Sequence, residues 1–284
     1  MQKREILKSA KVNEIYRKKR SARAKKAFVF LLLIIAGFVG LGFLSKLNKF
    51  TINGIKVTGV SVLSEDDIKR AVINEIEGNY LFIFSKKNSF IYPKNKIESF
   101  LSNNFKRISS ISVHKENLKT LVVDIKEHSG KYMFCDAPQE EKEQENCFFI
   151  DDTGYVFAEA PHFSGNIYFR FYNFGTSTPS DFFGKNFLDK NEFRKFIQFK
   201  ELLEKNNSNP VWFVLRDKNI AEMVMEGESN SKIIFKRTAN VEKIFSNFVT
   251  AIDTEPLKTM YQNNFDKLLY IDLRFDNKVY YKFK

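Results

Sequence analysis

The chain has 284 residues and a formal net charge of +12, with 43% hydrophobic and 28% charged residues. This composition builds a core and excludes intrinsic disorder, while 12 Gly and 6 Pro exclude collagen-like and linker-like architectures. Residues 1–26 carry 11 of the 46 basic side chains and 2 of the 34 acidic ones, so the excess charge belongs to a short tail and implies no nucleic-acid surface on the rest.

The tail leads into the first predicted element. From Ala27 to Leu44 every residue is apolar or Gly, in the run AFVFLLLIIAGFVGLGFL. As a helix those eighteen residues reach about 27 Å at 1.5 Å per residue, close to the ~30 Å hydrocarbon core of a bilayer. A core helix in a protein this small is not apolar on every face. A signal peptide has a shorter apolar region and a small-residue cleavage site, which Gly42-Phe43-Leu44 matches poorly. The reading is an uncleaved transmembrane signal anchor over residues 27–46, with Lys26 and Lys46 snorkelling at its ends. The basic tail of residues 1–26 then stays cytoplasmic, and the chain from about residue 47 lies outside after a single crossing. Arg17-Lys18-Lys19-Arg20 has the charge to touch nucleic acid or anionic lipid; orientation and lipid attraction account for it without a nucleic-acid partner.

Residues 50–128 read as one β-α-α-β-β unit. Ile52, Ile55, Val57 and Val60 mark a first strand ending at Thr58-Gly59. Ser64 followed by Glu65-Asp66-Asp67 is a helix start, with Ile68, Val72 and Ile76 at helical spacing and Gly78-Asn79 as the stop. Tyr80 to Phe84 is an apolar connection expected to pack under the helices. Pro93 opens a second helix carrying Ile97, Phe100 and Leu101. Ile108, Ile111 and Val113 mark the next strand, and Leu121, Val123 and Ile125 alternate with Val122, Asp124 and Lys126 in the last.

Residues 129–284 read as a mixed α/β domain dominated by an antiparallel sheet. Cys135 and Cys147 lie outside the reducing compartment, flanked by strand-like runs around an acidic loop. They either join in a disulfide or are buried separately as small hydrophobes. Strands are expected over residues 167–174, 211–215, 221–226, 232–236, 268–275 and 279–283, the last two around an Asp276-Asn277 turn. Amphipathic helices are expected from Asp189 to Glu204 and after Asn240.

Local words in this order resemble the FtsQ/DivIB family of bacterial cell-division proteins. Ile55-Lys56-Val57-Thr58-Gly59 resembles its opening "I-x-V-x-G", and Gly78-Asn79-Tyr80-Leu81-Phe82 its "G-x-N-L-F". Thr120-Leu121-Val122-Val123 with Glu127 resembles the "P-T-L-x-V…E-R" ending, with Lys119 where Pro is usual and His128 where Arg is usual. Residues 150–157 fit "I-D-x-x-G-x-V-F", and Ile271-Asp272-Leu273-Arg274-Phe275 with Val279 fits "I-D-L-R-F…V". The resemblance covers roughly residues 15–284. It implies a fold with a POTRA-like domain behind a single membrane anchor, then a β-rich domain. It also implies a divisome scaffold that binds single-pass partners of the FtsB/FtsL (DivIC) type and recruits septal wall synthesis.

Catalytic patterns are sparse. His114, His128 and His162 lack metal-ligand spacing to each other and to the cysteines. Ser229 to Lys232 matches S-x-x-K, but S-D-N and K-T-G are absent, so a hairpin turn is the simpler reading. Asp151-Asp152 is a carboxylate pair whose place in a turn suggests solvent exposure. Asp272 and Arg274 read as one wet face of a strand, or as a pair positioning the last hairpin. No catalytic residue, cofactor, metal or small-molecule substrate is therefore expected. The candidate site is the last strand, Val279, Tyr280, Tyr281, Lys282 and Phe283, expected as an uncovered edge that receives a partner strand. Alternatives are a POTRA module of an envelope assembly or secretion system, or a peptidoglycan-acting enzyme.

Overall fold

The structure is a computed structural model that describes residues 10–136, 145–174, 178–275 and 278–284. The Asp276-Asn277 turn and most of the loop between the cysteines lie outside the described residues. The chain divides into two compact units. One runs up to Asn104 and includes Ser110–Lys126; the other takes Phe105–Ser109 and continues from Glu127 to Lys284.

The first unit begins with a single helix, α1 (Ala10–Ser45), which continues the apolar run back into the basic tail. It is long and apolar enough to cross a membrane. Then follow β1 (Gly54–Thr58), α2 (Glu65–Ile76), β2 (Asn79–Tyr80), β3 (Phe84–Ser85), α3 (Lys94–Asn104), β4 (Ile108–Lys115) and β5 (Thr120–Glu127). Ser64 caps α2, its hydroxyl accepting from the Asp67 N–H at 3.3 Å, and three acids fill the first turn where the helix dipole favours them. The strands form a sheet in the order β1-β5-β4, with β1 parallel to β5. Ile68, Val72 and Ile76 of α2 and Ile97 and Leu101 of α3 are buried, as are Val57, Val113, Leu121 and Val123 of the strands.

The connection from Tyr80 to Phe84 departs from expectation. It does not run beneath the helices. β2 and β3 pair antiparallel, and the Ile83 N–H donates to the Tyr80 carbonyl at 3.1 Å. That closes a tight turn with Leu81 and Phe82 both at positive φ, 47° and 63°. The turn aims its tip away from the core, and Leu81 and Phe82 are 71% and 95% exposed.

The second unit contains β6 (Tyr132–Cys135), β7 (Cys147–Ile150), β8 (Val156–Ala160), β9 (Arg170–Asn173), α4 (Lys190–Lys205), β10 (Pro210–Leu215), β11 (Ile220–Met225), β12 (Lys232–Lys236), α5 (Val241–Ile252), α6 (Leu257–Asn264), β13 (Leu268–Phe275) and β14 (Lys278–Phe283). Its strands form one nine-stranded mixed sheet in the order β14-β13-β12-β11-β10-β9-β6-β7-β8. Three of its pairings, β6/β9, β9/β10 and β12/β13, are parallel, which chain order alone did not suggest. β9 is shorter than expected, and Ile167 before it is exposed. Phe193, Phe196 and Phe199 of α4 and Phe248 of α5 pack with Phe171, Phe213 and Phe235 on one face of the sheet. Phenylalanine is the commonest residue of the main core, with Phe196 and Phe213 only 4.4 Å apart between ring centroids. The opposite face carries a smaller cluster that includes Met133, Cys135, Cys147, Tyr172, Val214 and Val224.

Candidate functional site

β14 is an edge strand of the sheet, paired among the described residues with β13 alone. Its side chains alternate. Val279, Tyr281 and Phe283 are half-buried against the helix-side core, while Tyr280 and Lys282 are exposed. This is the period of two that a strand imposes. Tyr280 is 48% exposed and meets Phe275 edge-on, with ring centroids 5.1 Å apart. Beside the strand lies a groove of about 400 Å³, lined by Thr250 and Ala251 of α5, Pro256, Leu257 of α6, and Val279 and Tyr281. A strand edge with a hollow next to it can take an extended segment: the ladder supplies main-chain hydrogen bonds and the hollow, which Asn247, Glu255 and Lys278 also line, receives a side chain.

Register shows how the strand is tied in. Tyr280 lies opposite Asp272, Asp272 beside Ile234, Ile234 beside Glu222, and Glu222 beside Val214. The row continues through Tyr172 and Cys135 to Cys147. Tyr280 therefore shares the helix-free face with the cysteines. Asp272 in this row is buried and accepts from Arg274 through its backbone N–H at 3.1 Å, Nε at 2.9 Å and Nη2 at 2.6 Å. The wet-face reading of this pair is thus wrong for Asp272. A charge there is tolerated because the guanidinium pairs with it in a fork. The pairing of β13 with β14 shifts register just beyond Asp272, so the ion pair holds the strand where its geometry changes.

On the same face a second hollow of about 410 Å³ is lined by Glu145, Arg170, Tyr172, Trp212, Arg216 and Lys232, among others. The Tyr172 hydroxyl donates to Glu145 Oε2 at 3.1 Å. Burial first, and the Glu145 charge second, push that hydroxyl up to about 12.

Cys135 and Cys147 are direct partners in the β6/β7 ladder and are joined by a disulfide, with 4.1 Å between their Cα atoms. They approach Glu145, but sulfurs bonded to each other are not thiolate ligands, so this cluster offers no metal site. His114 pairs with Asp124 at 3.2 Å, and His162 is exposed. Ser229 donates to the Asp266 carbonyl, and Asn230 takes positive φ in the β11–β12 turn.

Sequence reasoning missed the role of His128 and Asp151. Asp151 is buried, not solvent-exposed, whereas Asp152 beside it is exposed. Its Oδ1 accepts from the Thr153 N–H at 2.8 Å, the Thr153 hydroxyl at 2.8 Å and the Tyr155 N–H at 3.0 Å. His128 Nδ1 donates to Oδ2 at 2.8 Å, and the imidazole stacks on Tyr155 and Phe157. Burial pushes the Asp151 carboxyl up, but the bond from His128 and those from Tyr155 and Thr153 outweigh it and hold its pKa at about 2. The signal was available in Asp-x-Thr-Gly, an Asx-turn pattern whose carboxylate bonds its own backbone two residues on.

No protein-family model and no curated protein matches the chain.

Proposed function

We propose that this chain is a non-catalytic, single-pass membrane scaffold of the bacterial divisome, of the FtsQ/DivIB type. In this reading α1 is the anchor, the tail is cytoplasmic and the chain from about residue 47 onward lies outside. The first unit serves as the POTRA-like domain: one strand, two helices and two strands follow α1, with only the short β2–β3 hairpin added between the helices. Single-pass partners of the FtsB/FtsL (DivIC) type bind the second unit, and septal wall synthesis is recruited through them.

The observation that carries the reading is the edge at β14. It has an outward Tyr280, half-buried Val279 and Tyr281, and a groove of about 400 Å³ at its side. The partner adds a strand there and places a side chain in the groove. A fluorescent fusion in dividing cells tests the cellular claim, and a midcell band is expected. Uniform membrane signal from a fusion that complements growth would reject it.

A further inference from the structure

We infer that the β2–β3 hairpin is a membrane-inserted element whose Leu81–Phe82 tip enters the outer leaflet alongside α1. The inference rests on the reading of residues 27–44 as a bilayer span.

The contacts between hairpin and helix set the depth. The Ser85 N–H donates to the Ser45 hydroxyl at 3.2 Å, and the Asn88 amide donates to the Ser45 carbonyl at 2.9 Å. One step nearer the tip, the Phe84 ring meets Phe38 edge-on at 4.9 Å between centroids. Ile83 packs so close to Gly42 that a Cβ added there would stand 1.8 Å from Ile83 Cγ2, so any larger residue would displace the Ile83 side chain. Phe38 precedes Ser45 by seven residues, about 10 Å along the axis. Phe38 and Gly42 both belong to the apolar run. If that run fills the hydrocarbon, Ile83 and Phe84 lie below its surface. Raising α1 by about 10 Å to keep the hairpin dry would draw Lys25 and Lys26 into the hydrocarbon and leave apolar turns in water.

The tip is built for that setting. Tight turns with two positive-φ residues favour Asn and Gly, yet this one holds Leu and Phe, nearly bare of protein. In water the two side chains gain nothing; among acyl chains both are buried. The facing backbone groups of the hairpin are paired, since Tyr80 pairs with Phe84, Asn79 pairs with Ser85, and the Lys86 N–H donates to the Gly78 carbonyl at 3.1 Å, which limits the polar groups a shallow insertion carries into the leaflet. At the neck, Lys86 Nζ lies 5.9 Å from the Tyr80 ring centroid, an aromatic and a cation together as at a headgroup boundary.

The test uses the full chain in phosphatidylcholine–phosphatidylglycerol vesicles whose acyl chains are brominated, with the native Trp212 as the reference signal. Phe82→Trp and Phe38→Trp are compared. We expect both added indoles to emit to the blue of Trp212 and to lose most of their emission to bromine, while the Trp212 signal persists. Quenching at 38 without quenching at 82 overturns the hairpin inference and leaves the span standing. Loss of quenching at both positions overturns the span reading and the inference with it. Quenching at 82 alone also overturns it, because the tip would then touch lipid without a spanning neighbour. A blue-shifted F82W emission that bromine does not quench overturns it in favour of a protein partner. Near-ultraviolet dichroism confirms that each variant is folded, and Leu81→Trp repeats the measurement should F82W fail to fold.

Discussion

The nine-stranded sheet has two edges, and they are finished differently. At β8 the chain folds back over the start of the edge. The Val156 N–H donates to the Lys185 carbonyl at 2.9 Å, the Gly184 N–H donates to the Val156 carbonyl at 2.8 Å, and Tyr155 forms a bridge with Asn186. At β14 no further strand is paired among the described residues, and the strand instead presents Lys278, Tyr280 and Lys282 outward. Both devices suppress edge-to-edge aggregation. The second leaves the ladder open along its whole length, whereas the first closes it at Val156. Lysines on an edge repel copies of the same strand while admitting a segment of complementary charge, whereas a covering loop admits nothing. The same asymmetry appears in the interior. The disulfide and the Asp151 network both lie at the β8 end, so the closed side is cross-linked and the open side is held mainly by packing and by the Asp272–Arg274 pair.

The largest expected effect is on the closed side. Cys135→Ser with Cys147→Ser removes a bond across a sequence separation of 12. In the chain-entropy model a loop of this size contributes about 3 kcal/mol. Denaturant unfolding of the second unit should register a loss of that order in the double variant and in the reduced wild type. An unchanged midpoint would show that the closed edge does not depend on its cross-link.

Next comes pH. Asp151 has a folded pKa of about 2 against an ordinary value of 3.8. A depressed carboxyl contributes stability that is fully present above the ordinary value and is lost as pH falls through the folded one. The difference is about 2.5 kcal/mol. Asp151→Asn keeps an oxygen for Thr153 and Tyr155 but turns an amide toward His128 Nδ1. The wild type should lose stability between pH ~4 and ~2, and D151N should start lower and stay flat there. Parallel curves for the two proteins would remove Asp151 from the account.

What was readable in the sequence followed period and punctuation. α1, α2 and α4 were legible because an unbroken apolar run or a 3.6-residue spacing with Ser64 or Asp189 as N-cap leaves little choice. β14 was legible as an alternating strand. The parallel pairings of β9 and β12 were not, because which strands become neighbours is decided by long-range packing that no local word encodes. The Tyr80–Phe84 stretch was misread for a related reason. An apolar run predicts burial but does not name the solvent. Asp151 was misplaced because a turn carboxylate looks solvated until the His128 side chain is brought to it by the fold.

On the open side the expected effect is on binding rather than folding. Under the proposed function, Tyr280→Ala removes an exposed aromatic from β14 and should weaken binding of the proposed partner strand by about 2 kcal/mol, roughly 30-fold, with unfolding changed by less than about 0.5 kcal/mol. Glu159→Ala makes the matching change at an exposed position of β8. Titration calorimetry should find its affinity unchanged. Equal losses in both variants would erase the functional contrast between the edges.

The smallest effect sharpens the comparison most directly, because it opens the closed edge. The Asn186 amide donates to the Thr153 carbonyl at 2.7 Å and so pins the covering segment beside the Asp151 turn. Gly154 in that turn takes φ of 81° and lies against the Phe193 ring, so the turn itself has little freedom to follow a loosened cover. Asn186→Ala removes one hydrogen bond and should cost about 1 kcal/mol by thermal melt. The covering segment should then open locally while the sheet stays formed, and hydrogen exchange should quicken at Val156 and Gly184, whose N–H groups bond across this edge, before it quickens at β14. An opened edge should also self-associate slowly at high concentration, whereas the wild type, with lysines guarding its other edge, should not. If the N186A protein exchanges and associates as the wild type does, then the cover is held by its backbone bonds alone and the side chain is incidental to closing the edge.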